Sequence, residues 1–169
     1  SPSVTIMATF VREIVTSKGD ILRVGASSER KLLSQETLSA IGNTELMGVE
    51  LLRITGNEVV GHETLRAIEE YIASIFNRDN NIMIFYFCDF INPIPHHTRK
   101  GMTPQEYRSH LFEKMFERYV NQHKIHGIHL SVITAEGIDE TYYFHLIYRE
   151  EHARIAMIID NDIKEGYSK

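Results

Sequence analysis

Cysteine is nearly absent: Cys88 is the one thiol in the chain. No internal disulfide is therefore possible, and stability must come from a packed core. The position of Cys88 inside an apolar run predicts a buried thiol, which suits a reducing cytosol. Long apolar runs are missing too. The longest, Ile82 to Cys88, is far shorter than the ~20 residues of a membrane span. The first residues, Ser1-Pro2-Ser3-Val4, lack a basic segment followed by an apolar one, so no secretory leader is expected. No charge sign dominates either. With 18 Lys+Arg against 23 Asp+Glu the formal net charge is -5. That balance gives no general attraction to nucleic acid or anionic membranes, and any nucleic-acid contact would need a local basic patch. No internal repeat, low-complexity tract or linker is visible.

What is present is an ordinary globular mix, 43% hydrophobic and 24% charged residues, enough to build one core in a single domain spanning residues 1–169. Residues 9–26 read as a hairpin, with apolar Phe10, Val11, Ile14 and Val15 before the turn Ser17-Lys18-Gly19-Asp20 and Ile21, Leu22 and Val24 after it. The segment from Ser27 to Asn43 is polar, with a short helical turn as one reading around Ser34, Thr37 and Leu38. Leu46 to Thr55 reads as a strand entering the turn at Gly56-Asn57. Leu65, Ile68, Ile72, Ile75 and Phe76 then recur at three- and four-residue spacings, which predicts an amphipathic helix from His62 to Phe76.

Ile82 to Cys88 is apolar on both alternating faces, the pattern of a central strand covered on both sides. Thr103-Pro104-Gln105-Glu106 is a capping box with proline at the first helical position. It opens a helix over about residues 104–121, with a stripe of Tyr107, Leu111, Met115 and Tyr119 broadened by Phe112 and Phe116. Ile128, Leu130 and Val132, a turn at Ala135-Glu136-Gly137, and then Tyr142, Phe144, Leu146 and Tyr148 make a second hairpin. A last helix follows from about Glu150. Hairpins at both ends and helices between them predict an α+β fold: a mixed, largely antiparallel sheet with about three helices packed on it.

The run Ile84-Phe85-Tyr86-Phe87-Cys88-Asp89, the arginine-bearing segment after it, and the helix with Phe112 and Phe116 resemble an uncharacterised bacterial family, a domain of unknown function. The upstream hairpin, helix and strand, and the closing hairpin with its helix, are similar in layout. The stretch from Phe90 to Met102 is longer than that family's compact pattern. The resemblance implies a compact soluble domain and carries no activity, cofactor or catalytic residue with it.

The densest candidate chemistry lies between the central strand and the capped helix. Asp89 would stand at the strand's carboxyl end, where open sheets with parallel strands place their ligand crevices. His96, His97, Arg99 and Lys100 follow in a 13-residue loop, and Thr103 opens a helix whose amino terminus favours anions. Together these would bind an anionic small ligand; Asp89 with a neutral histidine would serve as a base or bind a cation. The plain alternative is a backbone-capping aspartate and solvated histidines.

The other histidines, His123, His126, His129 and His145, have no companion cysteine and no His-Glu-x-x-His spacing, so no metal or other cofactor is expected. His129 and His145 fall on hairpin strands where they could face each other. His62-Glu63 suits a helix start. No Gly-x-Ser-x-Gly nucleophile motif is present. The aromatic hairpin at Tyr142, Tyr143, Phe144 and Tyr148 could stack bases, but with Arg149 as its sole basic neighbour it reads as core packing. The sequence thus favours a binding or regulatory module, self-associating or with a protein partner. The alternative is a hydrolase or phosphate-handling enzyme working through Asp89, His96, His97 and Arg99.

Overall fold

A computed structural model describes residues 9–56, 61–88 and 101–167. Its sheet has six strands, β1 (Phe10–Val15), β2 (Ile21–Ser28), β3 (Glu45–Arg53), β4 (Ile82–Cys88), β5 (Ile128–Glu136) and β6 (Thr141–Arg149), in the order β1-β2-β3-β4-β6-β5. Every neighbouring pair is antiparallel except β3 and β4. Those two are joined by the crossover helix α2 (His62–Phe76), the connection that parallel pairing requires. The α+β reading holds, with a mixed and mostly antiparallel sheet.

Four helices, not three, pack on it among the described residues: α1 (Gln35–Ile41), α2, α3 (Pro104–Gln122) and α4 (Ala153–Tyr167). The additional one is α1, where the polar segment offered a short helical turn around Ser34, Thr37 and Leu38. Ser34 caps it, its hydroxyl accepting from the Thr37 amide at 3.2 Å, and the helix ends at Gly42 with φ +61°. A seven-residue helix carries too few apolar positions for periodicity to announce it.

Alternation along the strands divides the core in two. On one face Val24, Met47, Val49, Ile82 and Ile84 meet α2 and α3 through Ile68, Ile72, Ile75 and Phe112. On the other Leu46, Met83, Phe85, Phe144 and Leu146 meet α1 and α4 through Ile41, Ala156, Ile159 and Ile163. Each fully buried side chain of this kind is worth about 1.5–3 kcal/mol. β4 is central and covered on both sides, as its doubly apolar pattern predicts. The cover is incomplete over β1, where Val11 and Val15 stay exposed.

The second turn differs from expectation. Ala135 and Glu136 belong to β5, paired with Tyr142 and Thr141, and the chain reverses after them, where the Gly137 amide donates to the Glu140 carbonyl at 2.7 Å. Ala135 is buried, so packing keeps it in the strand. His129 and His145 do not face each other. His129 opposes Tyr148 and His145 opposes Val132, an odd offset that sets them on opposite faces.

Arg149, at the end of β6, ties the sheet to α2. Its guanidinium donates to the carbonyls of Phe76 at 2.8 Å and of Asn80 and Ile82 at 3.2 Å each, and lies 3.9 Å over the Phe76 ring. It thus satisfies a carbonyl at the end of α2 that the helix itself leaves open. Arg149→Met is expected to cost about 2–3 kcal/mol, since charge-assisted bonds are lost and the carbonyls are stranded. Arg149→Lys should recover less than half, because an ammonium lacks the planar fork. Urea unfolding of the three proteins measures this.

Candidate binding crevice

β3 and β4 run side by side only from Glu45 opposite Ile82 to Val49 opposite Tyr86. Beyond that pair β3 continues to Arg53 along β2, while β4 continues to Cys88 along β6. The two parallel strands therefore part at their carboxyl ends. A crevice of about 460 Å³ opens there, where open sheets place their ligands. Because the strands diverge, residues of both sheet faces reach it: Val49, Leu51 and Tyr86 from one, Glu50, Phe85 and Phe87 from the other.

Thr103 behaves as its motif predicts. Its hydroxyl accepts from the Glu106 amide at 3.3 Å, with Pro104 in the first turn. Asp89, His96, His97, Arg99 and Lys100 lie outside the described residues, as does the Cys88 side chain. The strand end that would carry Asp89 does border the crevice, through Phe87.

Residues that were not singled out dominate instead. Arg108, one turn into α3, is only 8% exposed and lines the crevice. Its Nε donates to the Pro104 carbonyl at 3.3 Å, and its Nη2 is buried without a hydrogen-bond partner. An unsatisfied, buried guanidinium nitrogen is costly to keep in a folded protein. Glu29 enters from the segment after β2. Its side chain lies against Gly48, where a Cβ would stand 2.2 Å from the Glu29 Cγ. Gly48 thus marks a close approach that an alanine would obstruct. Burial raises the Glu29 carboxyl above its usual range, with Glu50 adding to the effect and Lys31 opposing it. Arg23 also lines the crevice but is paired with Glu13 at 3.1 Å.

No family model, curated protein or solved structure matches the chain.

Next to Arg108, Ser109 is buried and its Oγ lies 2.8 Å from Nε2 of the fully buried His145. The His145 ring packs 5.0 Å from Phe112 and 5.9 Å from Tyr86. Burial holds this histidine down to about 4 despite opposing backbone hydrogen bonds with Tyr86 and Ser109. It is neutral at pH 7 and sealed from solvent, so the Ser109–His145 pair fixes α3 against the sheet and does not present a nucleophile. Among the described residues no three histidine, cysteine or acidic side chains gather as a metal site would require. No described helix is long and apolar enough to cross a membrane.

Proposed function

We propose that the protein is a binding module that captures a small ligand through an anionic group, in the crevice where β3 and β4 part. The observation that carries this reading is the Arg108 guanidinium, more than nine-tenths buried, lining the crevice with Nη2 unsatisfied. A carboxylate or phosphate oxygen on the ligand would supply the missing acceptor, and a guanidinium suits such groups by its fork geometry. Tyr86, Phe85 and Phe87 add aromatic walls, giving the mixture of apolar lining and few polar anchors typical of small-molecule sites. A cytosolic setting and a bacterial source, suggested by the lone cysteine and the resemblance, belong to the same proposal. So does a regulatory role exercised through ligand occupancy.

Thermal unfolding with small carboxylates, amino acids and phosphates tests it. A ligand at about 100 times its dissociation constant adds about 2.7 kcal/mol of stability. Arg108→Met should abolish that gain. In the absence of ligand the same variant should be more stable than the parent by about 1 kcal/mol, since it removes an unsatisfied buried charge. No stabilisation by any anion, or stabilisation that survives Arg108→Met, would overturn the reading.

A further inference from the structure

The two faces of the sheet bring different chemistry to the crevice. On the α3 side the strands contribute Ala26, Val49, Leu51 and Tyr86, and α3 contributes Arg108. By strand alternation Arg23, Gly48, Glu50, Phe85 and Phe87 point to the opposite side. Glu29 lies there too, over Gly48. Among the described residues, Arg108 is therefore the one charged side chain lining the crevice on its own face.

Strand pairing and helix packing hold this face together around the guanidinium. Tyr86 stands beside Val49 of β3 and beside His145 of β6. The His145 ring meets the hydroxyl of Ser109, the neighbour of Arg108 on α3, at 2.8 Å. Phe112, one turn further along the same helix, stacks on the Tyr86 ring at 4.6 Å. This seats the Arg108 turn of α3 beside Tyr86 and Val49, with Leu51 next on the same face of β3.

The donors on this face suit one negative charge. The Arg108 Nε is committed to the Pro104 carbonyl, and Nη2 is the buried nitrogen left open. The Glu106 amide, in the first turn of α3, already donates to the Thr103 hydroxyl. A phosphate is ordinarily met by several donors or by a free helix start, and a carboxylate needs fewer. Beyond the guanidinium a ligand here meets hydrocarbon. Leu51 and Tyr86 pack against the core yet stay only partly buried, so each keeps apolar surface for a ligand to cover.

We propose that the ligand is a monocarboxylic acid with an apolar body. Its carboxylate meets Arg108, and its hydrocarbon part runs along Val49, Leu51 and the Tyr86 ring. The proposal rests on the anion-binding reading above and narrows it to one ligand class. Selectivity follows from the single guanidinium. A second negative charge finds no further cation on this face, and an uncharged head leaves Arg108 without a counter-charge.

Calorimetric titration of the whole chain with straight-chain acids from butanoate to octanoate tests this. The dicarboxylate and the primary amide of matching length, and inorganic phosphate, are titrated beside them. Each added methylene should tighten the acid about three- to fourfold while the chain stays inside the crevice. The dicarboxylate, the amide and phosphate should each bind at least tenfold more weakly than the tightest monocarboxylate. Arg108→Met should weaken every acid at least tenfold. Leu51→Ser should reduce the gain per methylene by at least half, with circular dichroism confirming that the variant is folded.

Affinity indifferent to chain length, or phosphate or a dicarboxylate binding as tightly as the best monocarboxylate, overturns the monocarboxylate while Arg108-dependent binding leaves the anion reading standing. A folded Leu51→Ser variant with an undiminished gain per methylene overturns the placing of the hydrocarbon along β3. An amide as tight as its acid, or acid binding that survives Arg108→Met, overturns both readings. Failure of every carboxylate and phosphate overturns both as well.

Discussion

Replacing Phe144 with alanine is expected to lower the unfolding free energy by about 3–5 kcal/mol. Phe144 is 1% exposed and sits in the middle of an aromatic stack on the face covered by α1 and α4. Phe87 lies 4.7 Å from it at 16°, Phe85 5.7 Å away at 22°, and the Tyr167 ring closes over it at 4.9 Å. These partners come from β4 and from the end of α4, so truncation opens a cavity whose walls belong to separate elements. Strands paired on both sides cannot collapse inward to fill it, and the cavity term adds to the lost transfer energy. Against a total stability of about 5–15 kcal/mol this is a large fraction. Urea unfolding should show a lower midpoint with an unchanged slope, and Phe144→Leu should restore more than half of the loss. A loss below about 1 kcal/mol would mean that the stack is not packed as described. Because Phe87 lines the ligand crevice as well, Phe144→Ala should also weaken binding there.

The sheet was readable because burial on both faces of β4 and strict alternation in the closing hairpin leave few other arrangements. The place of the crevice was also readable, since a strand apolar on both faces predicts a central position and its end borders a crevice in such sheets. Its residues were not. Along α3 the apolar stripe suggested Tyr107 and Leu111 as the inward line, yet the buried residues are Gln105, Arg108, Ser109, Phe112 and Met115. The inward face begins polar and ends apolar. A hydrophobic period registers only the second half, because polar side chains on a helix count as outward by default. The signal was present as Gln105, Arg108, Ser109 and Phe112, a line continuing directly into the aromatic stripe. Glu29 gave no signal, because its role depends on Gly48, which is distant in sequence and meets it only after β2 and β3 pair. His145 looked like a cross-strand histidine for a similar reason. Its burial comes from α3 packing over β6, which no local pattern records.

Acid should destabilise the protein through His145 between about pH 6.5 and pH 4. In the unfolded chain its imidazole titrates near 6.5; in the native protein burial holds it down to about 4. The folded value lies below the unfolded one, so within that window the unfolded chain binds a proton that the native one does not. Unfolding is then favoured as pH falls, by up to about 1.4 kcal/mol per pH unit. Above pH 6.5 the contribution is fully present, by pH 5 about 2 kcal/mol of it is lost, and below pH 4 this residue causes no further loss. Protonation would place a charge in a fully buried setting walled by the Tyr86 and Phe112 rings. His145→Gln keeps a polar partner for Ser109 and cannot titrate. Urea unfolding at pH 7 and pH 5 should therefore show a smaller acid loss in the variant by about 2 kcal/mol, whatever its stability at pH 7. Equal losses in both proteins would mean that His145 is protonated in the native state well above pH 5. Because the native ring stays neutral down to about 4, the Ser109–His145 contact, and with it the Arg108 turn of α3, should persist in the folded protein over the same range.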